Sequence, residues 1–294
     1  MVDDPGRLVS LALVMALTAR PAAGQARFSV ETDVIYGHKA GMALTMDAYL
    51  PEAPTGAAVI FINNGGFRSP AFRFLVPDSD EPVLDERSRD HGPQPYMEQG
   101  IAFFDVRHGS APWFDLADIA TDLRAAVAYI KTQGPGLGID PDRLGLVGSS
   151  SGAVMALYLS GKAALEGDAE HQVAAVVAYH GVDDYAAFIE VFPQIVELIP
   201  SLAEDGPGAA ANFSPGRYVS NRSPPTLIFH GDEDEIAPFE GAVVLYDRLV
   251  DAGAEARFIS FRGAGHLLQG EDAARASAET TAWFVRHLVG RPPA

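Results

Sequence analysis

The chain has 294 residues, 39 of them acidic and 21 Lys or Arg, a formal net charge of −18, and no cysteine. That charge repels phosphate backbones and anionic lipid, which argues against a nucleic-acid or membrane-surface partner held by charge. The absence of cysteine excludes a disulfide framework, thiolate metal ligands and a cysteine nucleophile, while a hydrophobic fraction of 48% is that of an ordinary globular protein.

Residues 8–19 form an apolar run, too short to span a bilayer comfortably and suited to the hydrophobic stretch of a signal peptide. Small residues Gly24 and Ala26 fit a cut after Ala26, although Asp3 and Asp4 make an atypical start beside Arg7. The expectation is a signal peptide over 1–26, a secreted or periplasmic protein without stable membrane insertion, and a single domain over 27–294. The competing readings are a terminal helix packed on the body and a retained anchor.

Residues 28–36 and 42–50 alternate apolar and polar side chains, as an antiparallel pair with one wet face should. The run at 57–62 is continuously apolar, as a strand buried on both faces should be, those at 101–106, 144–147, 173–178 and 226–229 are of the same kind with Asp105 the charged exception, and 257–261 is a further short strand. Helical spacing of Ile119, Leu123, Ala126, Val127 and Ile130 follows Asp115 and Asp118, which suit a helix start, and glycines from Gly134 end it. Helices are also expected over 151–163, 239–252 and 272–288. Buried strands alternating with helices predict an α/β fold: a mostly parallel twisted sheet with helices on both faces. Two stretches, 67–97 and 182–222, are longer than a connection requires. The second carries Phe188, Ile189, Phe192, Ile195, Val196 and Ile199 at helical spacing. Both are read as walls or a small cap over a site, against the alternative that they only complete the core.

The strand at 144–147 runs into Gly148-Ser149-Ser150-Ser151-Gly152 and then into a helix. This is G-x-S-x-G in the strand–turn–helix context that exposes a serine hydroxyl above a sheet. Ser150 is the expected nucleophile. A serine needs a base, and His266, in Arg262-Gly-Ala-Gly-His266, directly follows the last strand. The imidazole needs a carboxylate, and four acids, Asp232 to Glu235, follow His230-Gly231. Asp234 is favoured, with Asp232 in reserve; a solvated acidic turn is the other reading of this run. His230 itself is read as shaping the turn. The acidic run lacks the spacing of a calcium loop, so no metal or cofactor is expected. Gly65 and Gly66 follow the strand at 57–62 and, with the Ser151 N–H, are expected to form an oxyanion hole. Phe67, His108, Phe188 and Phe192 are the candidate substrate contacts.

These motifs resemble the α/β-hydrolase superfamily and, within it, bacterial carboxylesterases of the hormone-sensitive-lipase and feruloyl-esterase type. The resemblance covers about residues 30–288. Asn63-Asn64-Gly65-Gly66-Phe67 stands where those families carry His-Gly-Gly-Gly and an aromatic. Leu137-Gly-Ile-Asp-Pro-Asp-Arg143, Asp122, Ser214-Pro215, Pro224-Pro225 and His230-Gly-x-x-Asp234 are similar to further family segments. Arg107-His108-Gly109-Ser110 departs from the usual Tyr-Arg segment. The resemblance implies a serine esterase, without cofactor, acting on a small-molecule or carbohydrate-linked ester, with short-chain, acetyl and feruloyl esters as candidates. A prolyl-oligopeptidase-type peptidase and a non-catalytic binding protein on the same fold are the rivals.

Overall fold

A computed structural model describes residues 17–18, 27–62, 65–69, 74, 92–199 and 208–290. The signal-peptide expectation lies outside these residues except at Leu17–Thr18, and most of the 67–97 stretch lies outside them as well. Among the described residues nine strands form one sheet: β1 (Leu17–Thr18), β2 (Phe28–Lys39), β3 (Met42–Pro51), β4 (Ala58–Ile62), β5 (Ala102–Val106), β6 (Leu144–Ser149), β7 (Ala175–Tyr179), β8 (Thr226–Gly231) and β9 (Ala256–Phe261). Their order is β1-β2-β3-β5-β4-β6-β7-β8-β9. The first three strands and the β3–β5 pair are antiparallel, and every pairing from β5 to β9 is parallel.

The helices are α1 (Gln94–Glu98), α2 (Leu116–Gln133), α3 (Ser151–Glu166), α4 (Tyr185–Val191), α5 (Ile195–Leu198), α6 (Phe239–Asp251) and α7 (Gly270–Phe284). Alternate residues of β4 separate the two cores. Ala58, Ile60 and Ile62 join α2, α3 and α6 on one face, whereas Val59 and Phe61 join α1 and α7 on the other. This double coverage is why the parallel strands read as predominantly apolar runs. Asp115 caps α2, accepting from Asp118 N–H at 2.7 Å while the Asp118 carboxylate accepts from Asp115 N–H at 3.3 Å. The apolar set at helical spacing in the 182–222 stretch falls across two short helices, α4 and α5. Pro193 lacks an N–H and restricts the residue before it, so the helix ends at Val191.

Arg107 anchors the antiparallel end. Its guanidinium lies 2.7 Å from Asp47 and 3.3 Å from Asp33, and its carbonyl accepts from the Tyr36 hydroxyl at 2.7 Å. Asp105 shares this buried region, and burial pushes its carboxyl up to about 7, with Arg107 opposing and Asp47 adding to the rise. A carboxyl raised in the folded state binds its proton more tightly there than in the unfolded chain. Its contribution is complete below the unfolded carboxylate value of about 4 and is lost as pH rises through about 7. Asp105→Asn, neutral at every pH, should therefore gain Tm relative to wild type as pH rises from 4 to 7 and hold that gain above 7. Thermal unfolding across this range checks it; a pH-independent difference is the contrary result.

Candidate active site

The turn between β6 and α3 places Ser150 at φ 53, ψ −121, a backbone state that non-glycine residues rarely adopt. Hydrogen bonds from Ser150 N–H to Tyr179 O (2.8 Å) and from Val154 N–H to Ser150 O (3.1 Å) hold it there. Gly148 is required at this turn, because a Cβ would lie 2.3 Å from the carbonyl of Gly152. The result is a serine at the mouth of the turn, with the N-terminus of α3 directly behind it.

His266 Nε2 lies 3.0 Å from Ser150 Oγ, and His266 Nδ1 lies 2.8 and 3.0 Å from the two Asp234 oxygens. The proton therefore sits on Nδ1, facing the carboxylate, and Nε2 is free to accept from the serine. The choice between acids is resolved by geometry. Asp232 turns away and its carboxylate accepts from Gly263 N–H at 2.5 Å. It thereby ties the acid-bearing loop to the histidine-bearing loop, as does the bond from Glu233 N–H to Ala264 O at 3.0 Å. Gly231 permits this docking: a Cβ there would lie 2.2 Å from Ala264 O.

Asp234 has more company than the sequence suggested. Its Oδ1 accepts from the N–H groups of Ile236 and Ala237, both at 2.9 Å. Its Oδ2 also faces His230 Nε2 at 3.2 Å and His180 Nδ1 at 3.4 Å. Burial alone would raise this carboxyl. The facing imidazoles of His180, His230 and His266 and the Ala237 N–H outweigh burial and hold it well below the usual carboxylate range. His180 and His230 were missed in this capacity. Each ends a strand, β7 and β8, and that shared position was the available signal.

His180, His230 and Asp234 each bring one ring nitrogen or carboxylate oxygen within 4.8 Å of the others. The donor set nevertheless does not suit a cation. His230 Nε2 carries a proton given to Ala237 O at 2.8 Å, and both Asp234 oxygens already face N–H groups.

Gly65, Gly66 and Phe67 follow one another with φ of 112, 68 and 62. Their loop is braced from two sides. Phe67 N–H donates to Ser151 Oγ (3.1 Å), Ala111 N–H to Phe67 O (3.0 Å), and Ser69 N–H to Ser110 Oγ (2.9 Å). The Arg107–Ser110 segment thus serves the loop. His108 is a correction to the sequence reading: it does not line the cavity at Ser150. It is buried, its Nδ1–H donates to Gly109 O at 2.7 Å, and its backbone N–H donates to Ser69 Oγ. Asp122 completes the brace, accepting from Gly109 N–H and from Lys39 Nζ, both at 2.9 Å.

Ser150, Ser151, His266, Gly65, Gly66 and Phe67 share one cavity of about 280 Å³ with Phe188 and Phe192. Its apolar wall is a run of rings. Phe67 meets Tyr185 edge-on at 5.7 Å, Tyr185 stacks on Phe188 at 5.7 Å, and Phe188 stacks on Phe192 at 5.6 Å. The sequence-predicted residues are therefore brought together, His108 excepted. Asn63 and Asn64 lie outside the described residues.

A mostly parallel sheet with a serine on a strained strand-to-helix turn, and with Asp234 and His266 supplied by the loops after β8 and β9, defines the α/β-hydrolase class. The chain belongs to the BD-FAE family, whose model matches residues 46–249. A curated relative, an uncharacterized peptidase YuxL of Bacillus subtilis, is 30% identical over 159 residues, 51% of this chain and 23% of that protein. The esterase LipQ of Mycobacterium tuberculosis is 25% identical over 173 residues, 54% of this chain and 40% of that protein. A probable isoprenylcysteine alpha-carbonyl methylesterase of Arabidopsis thaliana is 24% identical over 261 residues, 81% and 51% of the two chains. The chain thus spans about a quarter to a half of the length of these relatives. Among solved structures, a truncated carbohydrate esterase from gut microbiota superposes with TM-score 0.69 at 21% identity, over 92% of this chain and 99% of that one. The thermophilic esterase Est2 of Thermogutta terrifontis superposes with TM-score 0.64 at 19% identity, over 89% and 92%. At such identities the likeness concerns the fold.

Proposed function

We propose that this chain is a serine esterase that hydrolyses carboxylic esters through an acyl-enzyme on Ser150. The observation that carries the reading is the continuous chain from Ser150 Oγ through His266 to Asp234 at hydrogen-bond distances, opening into one cavity. His266 Nε2 takes the serine proton as Oγ attacks the ester carbonyl. The N–H groups of Gly65, Gly66 and Ser151 receive the oxyanion. His266 then protonates the departing alkoxide, and water repeats the cycle on the acyl group. Asp234 stays ionised throughout, as its donors require.

The acyl group is assigned to the aromatic-walled cavity. Its size suits a short aliphatic or a single-ring acyl group, and acetyl and feruloyl esters are the preferred candidates. The carbohydrate esterase among the structural neighbours supports an alcohol side linked to a saccharide. Export to the periplasm or medium is proposed from the N-terminal sequence. Among the described residues no helix is long and apolar enough to cross a membrane.

The α4–α5 segment is proposed to limit acyl length. Phe188→Ala and Phe192→Ala should each move the preferred p-nitrophenyl ester to a longer acyl chain, with about tenfold changes in the kcat/KM ratio of long to short esters. An unchanged chain-length profile sinks that assignment. The name of the Bacillus subtilis relative favours a second reading, peptide hydrolysis. Parallel assays on p-nitrophenyl acetate, acetylated xylan, methyl ferulate and peptidyl p-nitroanilides separate the two. The esterase reading expects turnover of one or more esters and none of the anilides; anilide cleavage without ester cleavage reverses it.

A further inference from the structure

Asp234 sits between three imidazoles, of which the serine-activating chain uses one. His180 follows β7 directly, at φ 57, and its N–H bonds to Phe229 O at 2.9 Å, beside His230 at the end of β8. Its ring centroid is 5.2 Å from that of His266 and 5.4 Å from that of His230. Both extra rings are closed from solvent, His230 fully and His180 to 3% exposure. A buried ring nitrogen without a partner is costly, so the orientation of these nitrogens is informative. His230 Nε2 faces Ala237 O (2.8 Å) and Asp234 Oδ2 (3.2 Å), an arrangement only an N–H satisfies. His180 Nδ1 has no hydrogen-bond partner at rest and faces Asp234 Oδ2 at 3.4 Å. Burial also pushes the His180 imidazole below its ordinary value, toward the neutral ring.

We propose that His180 and His230 are positioning residues that clamp Asp234, so that its carboxylate stays in register with His266 while the serine proton moves. The inference rests on the serine-esterase reading of the same site. Oδ1 is fixed by two backbone N–H groups, and Oδ2 is left to the imidazoles. The 3.4 Å approach of His180 is long for a resting hydrogen bond. It shortens as His266 becomes an imidazolium and draws the carboxylate tight, a change common to catalytic contacts that are loose in the free enzyme. The titratable groups facing the carboxylate are His180 directly after β7, His230 from β8 and His266 from the loop after β9. On its own loop, Asp232 is committed to Gly263, and Glu233 and Glu235 are exposed. Donors on Oδ2 disperse the carboxylate charge. Removing them leaves more charge on Oδ2 to hold the His266 imidazolium, so the acid limb of the pH–kcat/KM profile moves to higher pH.

The test uses the full chain and amides that imitate one ring nitrogen. An asparagine at 180 places an N–H near Nδ1, and a glutamine at 230 places one near Nε2. His180→Leu and His230→Leu should lower kcat for p-nitrophenyl acetate about 10- to 100-fold, with KM within about twofold, and raise the acid limb by about half a pH unit. His180→Asn and His230→Gln should return the limb to its wild-type position. The transposed amides, His180→Gln and His230→Asn, keep polarity and volume but misplace the donor, and should not. This comparison holds even where the leucine variants do not fold. Independently of any turnover, imidazole ¹⁵N spectra of the wild type should show the proton on Nδ1 of His180 and on Nε2 of His230. A His180 proton confined to Nε2, or folded leucine variants with unchanged kcat and acid limb, overturns the clamp. A loss that both amides at a position rescue equally also overturns it, as a packing role. Failure of the esterase reading is seen separately, as wild type no more active than Ser150→Ala.

Discussion

Ser150→Ala should reduce turnover of an activated ester by at least about 10⁴-fold while leaving the fold intact. No other described side chain stands in its place. The neighbouring Ser151 hydroxyl accepts from Phe67 N–H and braces the oxyanion loop, so it is not free to substitute. The residual activity is what the Gly65–Gly66 loop and the cavity supply without a nucleophile. Stability should move differently. Ser150 occupies φ 53, so Ser150→Gly, which removes both the nucleophile and the Cβ, should be inactive and yet melt about 2 °C higher than Ser150→Ala. An equal Tm for the two variants contradicts the strain assigned to this turn.

Asp234→Asn should lower kcat by about 10³- to 10⁴-fold with KM little changed. The side-chain amide can still accept from Ile236 and Ala237 N–H through its oxygen. It then presents NH₂ to His266 Nδ1, which turns the imidazole to the tautomer with its proton on Nε2. That nitrogen no longer accepts from Ser150. The stability consequence has the opposite sign to that at Asp105. Asp234 is held below the usual carboxylate range, so its contribution is present above the unfolded value of about 4 and is lost as pH falls through the lower folded value. Asp234→Asn should therefore melt below wild type at pH 7, and the gap should close as the solution is acidified below pH 4. Asp105→Asn should gain on wild type over the range in which Asp105 ionises. A single set of melting curves for both variants tests the two buried carboxylates against each other.

Much of this was legible along the chain, for identifiable reasons. The β4 and β7 segments are unbroken apolar runs, and β5, β6 and β8 are predominantly apolar, because both sheet faces are covered, and that pattern needs no partner information. Ser150, Asp234 and His266 were legible because each follows a strand and is flanked by glycines that let loops approach closely. What could not be read was side-chain direction. His180 and His230 end strands as Asp234 and His266 follow them, but only the folded register turns both rings onto one carboxylate. Asp232 and Asp234 are chemically equivalent in sequence, and the bond from Gly263 N–H to Asp232 separates them in space. His108 looked like a substrate contact because it follows β5 near the site. The carbonyl of Gly109 takes its Nδ1–H and turns the ring inward. The split of α4 from α5 was signalled by Pro193, which the apolar spacing on either side concealed.

Covalent chemistry at Ser150 is decided by trapping the intermediate. The wild type is mixed with p-nitrophenyl acetate, followed for a burst of p-nitrophenolate, quenched in acid and digested for mass spectrometry beside Ser150→Ala. A second, amide-bearing acyl analogue is run in parallel, so that slow acylation by one ester does not decide the outcome. An acyl group is expected on the peptide containing Ser150, at a stoichiometry approaching one per chain, and none in the variant. Ester turnover by the wild type that Ser150→Ala retains, or an acyl group found on another residue while Ser150 stays unmodified, would contradict it.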